Sequence, residues 1–416
     1  MRLALELARG GLGSVSPNPL VGAVLVRRGR ILGQGFHRRF GGPHAEVEAF
    51  RDALKRGESA KGADLHVTLE PCGHHGKTPP CALAILEAGV ARVFYGARDP
   101  NPLTRGVGPR MLRSAGVMVT EGALRRECVH LNAPFFHWIE TRTPWVIVKW
   151  AMTLDGRTAG PGGESKWITG NAARERAHDL RRRVDAVLVG TETALLDDPL
   201  LTPRPARGRK PLRILLDRRC RLPSRLQLLR REPRIASPRL CVTSTRAPEA
   251  RLKALRARGV ETLAVPEDEN GLDLGALLVE LGARGISQLL VEGGASLHGS
   301  FLRQGLAHEV AVFIAPRLLG SKGSRPAVEG SGIARLIETP WLEDPSVERL
   351  GVDVLIHGRL RPKRGRRPSG ARAAATTTRG PSVSRYALAP GQPSPATAVP
   401  LSRETCGPRI GQRNRL

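Results

Sequence analysis

One histidine, one glutamate and two cysteines constrain this chain more than anything else in it. His44-Ala45-Glu46 is followed by Pro71-Cys72 and then, after eight intervening residues, by Cys81. An imidazole and two thiolates give Zn²⁺ three protein ligands, and a tetrahedral ion with three ligands keeps its last position for water, as catalytic rather than structural zinc does. His44, Cys72 and Cys81 are therefore the candidate metal ligands. Zinc brings the pKa of such a water toward neutrality, so that hydroxide can attack an amidine-like ring carbon. Glu46 lies two residues past the histidine, near an expected helix start, where it can reach that water without ligating the metal. It is the candidate proton carrier between water, ring nitrogen and departing ammonia. Two blander alternatives stand beside this one: no metal at all, or a structural zinc completed by His74 or His75.

A chain of 416 residues with 40% hydrophobic content can bury two ordinary cores and still carry a tail. It has no apolar run of about 18 residues, and Glu6 interrupts the segment where a secretory core would be unbroken. The expectation is a cytoplasmic protein with no membrane partner. Cysteines 72, 81, 128, 220, 241 and 406 show no disulfide-framework spacing, which suits a reducing compartment. The net charge of +28 is uneven: residues 361–416 hold 12 Lys and Arg against one Glu, which is +11 and leaves +17 for residues 1–360. Most of that remainder is scattered arginine, the pattern of a solvated face, so charge alone does not make a nucleic-acid binder.

Hydrophobic periodicity predicts a helix over residues 3–10, a hairpin of 21–26 and 31–35 around Gly29, a helix from Ala45, a strand at 64–69, a helix at 81–88 and a strand at 91–95. A linker is expected at 139–144, before a strand at 145–150. Strands at 186–189, 212–216, 239–242, 288–291 and 309–314, with helices at 248–258 and from Ser296, predict a mostly parallel, doubly wound sheet. The fold class is α/β, with domains at 1–143 and 144–360; residues 361–416 lack the large apolar side chains needed to offset ordering entropy and are expected to be disordered.

Four segments of the first half are similar to one family: Ser16-Pro17-Asn18-Pro19-Leu20-Val21-Gly22, Gly42-Pro43-His44-Ala45-Glu46-Val47, the run from Thr68 to Cys81 ending Lys77-Thr78-Pro79-Pro80-Cys81, and Asp99-Pro100-Asn101-Pro102. In the second half, Lys149 to Thr158 with Leu154-Asp155-Gly156-Arg157, Glu164-Ser165-Lys166-Trp167-Ile168-Thr169, Asp197-Asp198-Pro199 and Val291-Glu292-Gly293-Gly294 continue the likeness. Together they resemble the bifunctional riboflavin-biosynthesis enzymes in which diaminohydroxyphosphoribosylaminopyrimidine deaminase is fused to 5-amino-6-(5-phosphoribosylamino)uracil reductase. The resemblance spans residues 1 to about 360. It implies a cytidine-deaminase-like α/β/α domain, then a dihydrofolate-reductase-like domain that uses NADPH on a phosphoribosylaminopyrimidine, in a homo-oligomer. By resemblance Asn18, His37 and Lys77 contact the deaminase substrate, and Ser165, Arg181, Leu201, Arg204 and Glu292 the reductase substrate. Ala151, Trp167, Thr193, Asp197 and the loop Gly294, Ala295, Ser296, Leu297, His298, Gly299, Ser300 face NADPH. A glycine-rich turn between strand and helix suits a phosphate independently of the likeness, because free backbone N–H groups and the helix dipole meet there.

The chain departs from the family in places. Gly73 stands where Ser is common, Arg218 stands after Asp217 where Ser is usual near the cofactor, and the first residues begin a few positions late. A nucleic-acid base deaminase is the competing function, but that class carries the H-x-E…P-C-x-x-C spacing and aromatic side chains for stacking. Here the cysteine gap is longer and aromatic residues make up 4%. A zinc-stabilised binding protein with a basic tail is a third, non-enzymatic alternative.

Overall fold

Arg28 and Gly29 both hold positive φ, 50° and 78°, the two-residue turn whose twist matches that of flanking strands, and they join Gly22–Arg27 to Arg30–Phe36 as an antiparallel hairpin. The computed structural model describes residues 1–76, 78–204, 209–230, 237–320, 322–333 and 335–361. In its first half the hairpin pairs antiparallel with Asp64–Leu69, after which Arg92–Ala97 and Met118–Glu121 continue the five-stranded sheet in parallel. The helix Ala45–Lys55 lies directly on the hairpin. A Cβ on Gly33 would stand 2.4 Å from the Ala49 carbonyl oxygen, and one on Gly35 would stand 2.5 Å from the Ala49 nitrogen. That close approach fixes where the helix N-terminus, and hence His44, can be.

The second half is a nine-stranded sheet in the order Glu261–Val265, Arg239–Ser244, Leu212–Leu216, Ala186–Gly190, Gln288–Val291, Trp145–Thr153, Glu309–Ala315, Asp353–Leu360, Leu342–Leu350. The first seven run parallel, as the apolar strands alternating with helices predict. Both faces are buried, with Val187, Val189 and Leu290 on one side and Ala186, Leu188 and Leu289 on the other.

Two features depart from expectation. The helix Ala133–Thr141 runs through the first part of the expected linker and ends on Arg142 in the left-handed region (φ 59°), so the connection is only Arg142 to Pro144. The last two strands are not anticipated by periodicity: Asp353–Leu360 runs antiparallel to Glu309–Ala315, and Leu342–Leu350, antiparallel to it in turn, is exposed along nearly its whole length and has no apolar face to alternate. The expected disorder of the basic tail falls on residues 362–416, outside the described residues. Among the described residues, no helix is long and apolar enough to cross a membrane.

Candidate active sites

Two helix starts and one loop meet at the first site. His44 caps the helix Ala45–Lys55, Cys81 opens the helix Cys81–Glu87, and Cys72 lies in the loop after Asp64–Leu69. The Cys72 loop is tied to the second helix: Cys81 N–H donates to Cys72 Sγ at 3.3 Å and Ala82 N–H to the Cys72 carbonyl at 3.1 Å. His44 Nδ1 lies 3.1 Å from Cys81 Sγ and 3.6 Å from Cys72 Sγ. A tetrahedral zinc with ordinary Zn–N and Zn–S bonds spaces its donors by about 3.5 Å, so the set fits the ion. Among the described residues, His44, Cys72 and Cys81 form the group able to hold a metal, and His74 and His75 are exposed and outside it. The structural-zinc alternative therefore lacks a fourth ligand there.

Hydrogen bonding with Cys81, aided by His44, pulls the Cys72 thiol down to about 4, while the same contact and burial push Cys81 up. Without metal the pair is thiolate plus thiol, and a bound cation displaces the remaining proton. Glu46, in the first turn of its helix, is 3% exposed, and burial raises its carboxyl above the ordinary range. A carboxyl shifted toward neutrality can both take and return a proton. Thr78 Oγ1 lies 3.2 Å from His44 Nε2 and orients the imidazole from behind. Thr78→Val is expected to weaken zinc retention about 10- to 100-fold, measured by competition with a chromophoric chelator, because partners behind a ligand tune its affinity by that much.

Asn18 and His37 come together beside this centre. Asn18 Nδ2 lies 3.1 Å from His37 Nε2, His37 Nδ1 lies 2.9 Å from the Pro43 carbonyl, and the His37 ring stands edge-on to His44 at 5.5 Å. Lys77 lies outside the described residues. The Asp99-Pro100-Asn101-Pro102 segment folds on itself: Asp99 accepts from Asn101 N–H at 2.9 Å and from Thr104 Oγ1 at 2.8 Å.

The second site is a cleft of about 720 Å³ beside the carboxyl ends of the Trp145–Thr153, Ala186–Gly190 and Gln288–Val291 strands. Ala151, Ser165, Trp167, Arg181, Thr193, Asp197, Leu201, Arg204, Glu292, Gly294, Ala295 and His298 all line it. Arg181 grips Glu292 through two donors, Nε at 2.6 Å and Nη2 at 2.9 Å, and Lys149 Nζ lies 3.5 Å from the same carboxylate. Burial alone would raise Glu292, but Arg181 and Lys149 outweigh it and hold the carboxyl at about 2. Ser165 Oγ donates to Asp197 at 2.6 Å, Gly294 N–H to Thr193 Oγ1 at 2.8 Å, and the Arg174 guanidinium covers the exposed Trp167 ring at 4.5 Å. Asp198 and Leu201, on the loop that borders the cleft, hold positive φ, 39° and 54°.

Residues 144–356 match the family described as RibD C-terminal domain, and residues 1–97 match the cytidine and deoxycytidylate deaminase zinc-binding region. The riboflavin biosynthesis protein RibD of Actinobacillus pleuropneumoniae is 42% identical over 356 residues, 86% of this chain and 93% of its own length. The chain belongs to the RibD family. The Escherichia coli RibD protein is 40% identical, over 86% of this chain and 97% of its own length. Among solved structures, Acinetobacter baumannii RibD is 36% identical with a TM-score of 0.75, and the Thermotoga maritima diaminohydroxyphosphoribosylaminopyrimidine deaminase/5-amino-6-(5-phosphoribosylamino)uracil reductase is 38% identical, also at 0.75. Each covers 86% of this chain and 97% of its own.

As a RibD protein the chain is a zinc deaminase joined to an NADPH-dependent reductase of riboflavin biosynthesis, which displaces both the nucleic-acid deaminase and the non-enzymatic binding alternative. Membership also frames the remaining residues. Four residues of the expected cofactor loop sit on the helix Ala295–Arg303 outside the cleft lining: Leu297 packs into the core, Gly299 has the Glu329 carbonyl where a Cβ would go, Ser296 bonds Glu329, and Ser300 bonds the Ser296 carbonyl. Gly73, in place of the commoner Ser, has Gly108 and Val107 at 2.6 Å from where a Cβ would stand. Arg218 lies 3.9 Å from Glu267 and outside the lining. Lys149 opens the family-like run Lys149 to Thr158 but was given no role from the sequence; a cation inside an otherwise apolar strand pattern was the available signal.

Proposed function

We propose that this chain deaminates 2,5-diamino-6-(5-phosphoribosylamino)pyrimidin-4-one at the His44, Cys72, Cys81 centre and reduces the ribosyl group of the resulting 5-amino-6-(5-phosphoribosylamino)uracil in the second cleft. The observation that carries this reading is the three-donor metal group with a buried carboxyl beside it, in one chain with the Glu292 cleft. Zinc supplies a Lewis acid there that makes hydroxide available at neutral pH. Glu46 takes one proton from the attacking water and gives it to the ring nitrogen, then takes the second from the hydroxyl now on the ring carbon and gives it to the amine, so that ammonia leaves as the carbonyl forms. His37 and Asn18 present a fixed polar edge to the pyrimidine.

NADPH supplies the hydride for the second reaction. The residues of the cleft orient the substrate and provide the proton. His178 and His298 are driven down to about 4, chiefly by burial, and are neutral at pH 7, so neither is the acid. Lys149, whose ammonium lines the cleft 3.5 Å from the Glu292 carboxylate, is positioned to donate to the ribosyl oxygen as the ring opens. Arg181 spends its donors on Glu292 and the Thr202 carbonyl and holds that carboxylate in place. The exposed Arg204 is the arginine suited to the phosphate.

Purified protein given the diaminopyrimidine ribosyl phosphate should yield the deaminated product alone without NADPH, and the ribityl compound with it, read by product mass. Recovery of unchanged substrate from zinc-loaded protein would end this reading.

A homo-oligomer in a reducing cytoplasm completes the proposal. Cys72, Cys81, Cys128, Cys220 and Cys241 are unpaired, and Leu336, Ile337 and Trp341 leave 86%, 82% and 68% of their surface exposed close together in sequence. Clustered exposed apolar side chains mark association surfaces. Light scattering is expected to report a multiple of the 44.9 kDa chain, and Ile337→Lys with Trp341→Lys is expected to return it to one chain.

A further inference from the structure

Two fastenings join the loop that begins the deaminase pocket to the reductase half. Asp185, just before the Ala186–Gly190 strand, is 2% exposed, and its carboxylate accepts from Ser287 N–H at 2.7 Å, Ser287 Oγ at 2.8 Å and Gln288 N–H at 3.0 Å. Those partners belong to the reductase half. A further donor does not: Ser16 Oγ reaches the same oxygen at 2.9 Å, and Arg209, paired to Asp185 at 2.7 Å, also donates to the Ser16 carbonyl at 3.4 Å. The other fastening is Gly13. It holds φ 75°, and a Cβ there would stand 2.4 Å from the Arg182 carbonyl at the end of the helix Asn171–Arg183. Between and beyond these points the chain is short and internally bonded, with Asn18 N–H donating to the Val15 carbonyl at 2.9 Å. The loop then ends on the Asn18–His37 contact beside the zinc ligand His44.

We infer that Asp185 is a positioning residue for the deaminase, setting through Ser16 where Asn18 and His37 stand in the zinc pocket. Ser16, Pro17 and Asn18 line a cavity of about 820 Å³ between the two halves, so packing does not back the loop on that side. Hydrogen bonds to a buried carboxylate are stronger than neutral ones and directional, which suits them to hold a loop that borders empty space. The deaminase pocket is thus completed by the domain that follows it in the chain, and the first half alone would bind zinc with a misplaced substrate edge. This inference rests on Asn18 contacting the deaminase substrate.

Its test uses the full chain as Ser16→Ala, Asp185→Asn, the double variant and Asn18→Ala, with zinc content, deaminase KM and kcat, and reductase kinetics on deaminated substrate measured for each. Loss of one such hydrogen bond is expected to raise the deaminase KM about fivefold to tenfold in Ser16→Ala and in Asp185→Asn. Deaminase kcat and zinc content stay at wild-type values, and the double variant is no worse than the worse single. A merely structural role has another signature: both activities fall together in kcat at constant KM as folded protein is lost. If Asp185→Asn folds poorly, Ser16→Ala decides, because the reductase core keeps every other Asp185 partner. A raised KM in Asn18→Ala with unchanged KM in Ser16→Ala overturns the inference and leaves the Asn18 contact standing. An unchanged KM in Asn18→Ala removes that contact and the inference with it.

Discussion

Glu46→Gln is expected to give a protein that keeps its zinc and binds substrate but deaminates at least about 10³-fold more slowly, near the upper range for loss of a positioned proton carrier. The amide fills the same volume at a position only 3% exposed, so the fold has no reason to change, yet it cannot take a proton from water and return it to nitrogen. Cys81→Ser should differ in kind. An alcohol is a far poorer zinc ligand than a thiolate, so metal and activity should be lost together. Metal analysis beside a product assay separates the two variants, and near wild-type turnover in Glu46→Gln would remove Glu46 from the proton path. In both variants NADPH-dependent reduction should persist.

Glu292→Gln is expected to abolish reduction and to cost about 3 to 5 kcal/mol of stability, since taking one partner from a buried ion pair leaves the other charge uncompensated. Arg181, with 16% of its side chain exposed, and Lys149 would both be stranded. In a domain of this size that corresponds to a fall in Tm of roughly 10 °C. The same pair sets an acid limb. Glu292 has a folded pKa of about 2, below its unfolded value, so its contribution is complete above the ordinary carboxyl range and is lost as pH falls toward 2. That contribution is about 3 kcal/mol in the wild type and absent in the variant, so their stability curves should converge in strong acid. Melting of the variant within about 2 °C of wild type at pH 7 would show that the two cations do not depend on Glu292.

The metal set was legible because chemistry dictates both residue type and spacing: two thiols, an imidazole and a carboxyl cannot be exchanged for neighbours in the hydropathy scale, and helix starts at Ala45 and Cys81 followed from the same residues. The parallel strands were legible because residues buried on both faces, such as 186–189, leave uninterrupted apolar runs. What escaped depends on partners remote in sequence. Lys149 acquires its meaning from Glu292, 143 residues on, and Asp185 from Ser16, 169 residues back. A lysine in an apolar strand marks Lys149 as unusual without saying what it faces, and Asp185 leaves no local pattern at all. The linker was begun at Ile139 because a polar stretch runs up to Pro144, whereas the helix continues to Thr141 and stops by a left-handed turn at Arg142.

The strand Leu342–Leu350 terminates the nine-stranded sheet with an open row of backbone donors and acceptors. Its sequence, Leu342-Glu343-Asp344-Pro345-Ser346-Val347-Glu348-Arg349-Leu350, sets charges along that rim, and the pairing shifts register between Glu343 and Ser346, around a proline that has no N–H to offer. Such a rim rejects strand-to-strand docking by another chain. A second chain approaching this edge would thus meet charged side chains and a gap in the donor row before it met pairable backbone.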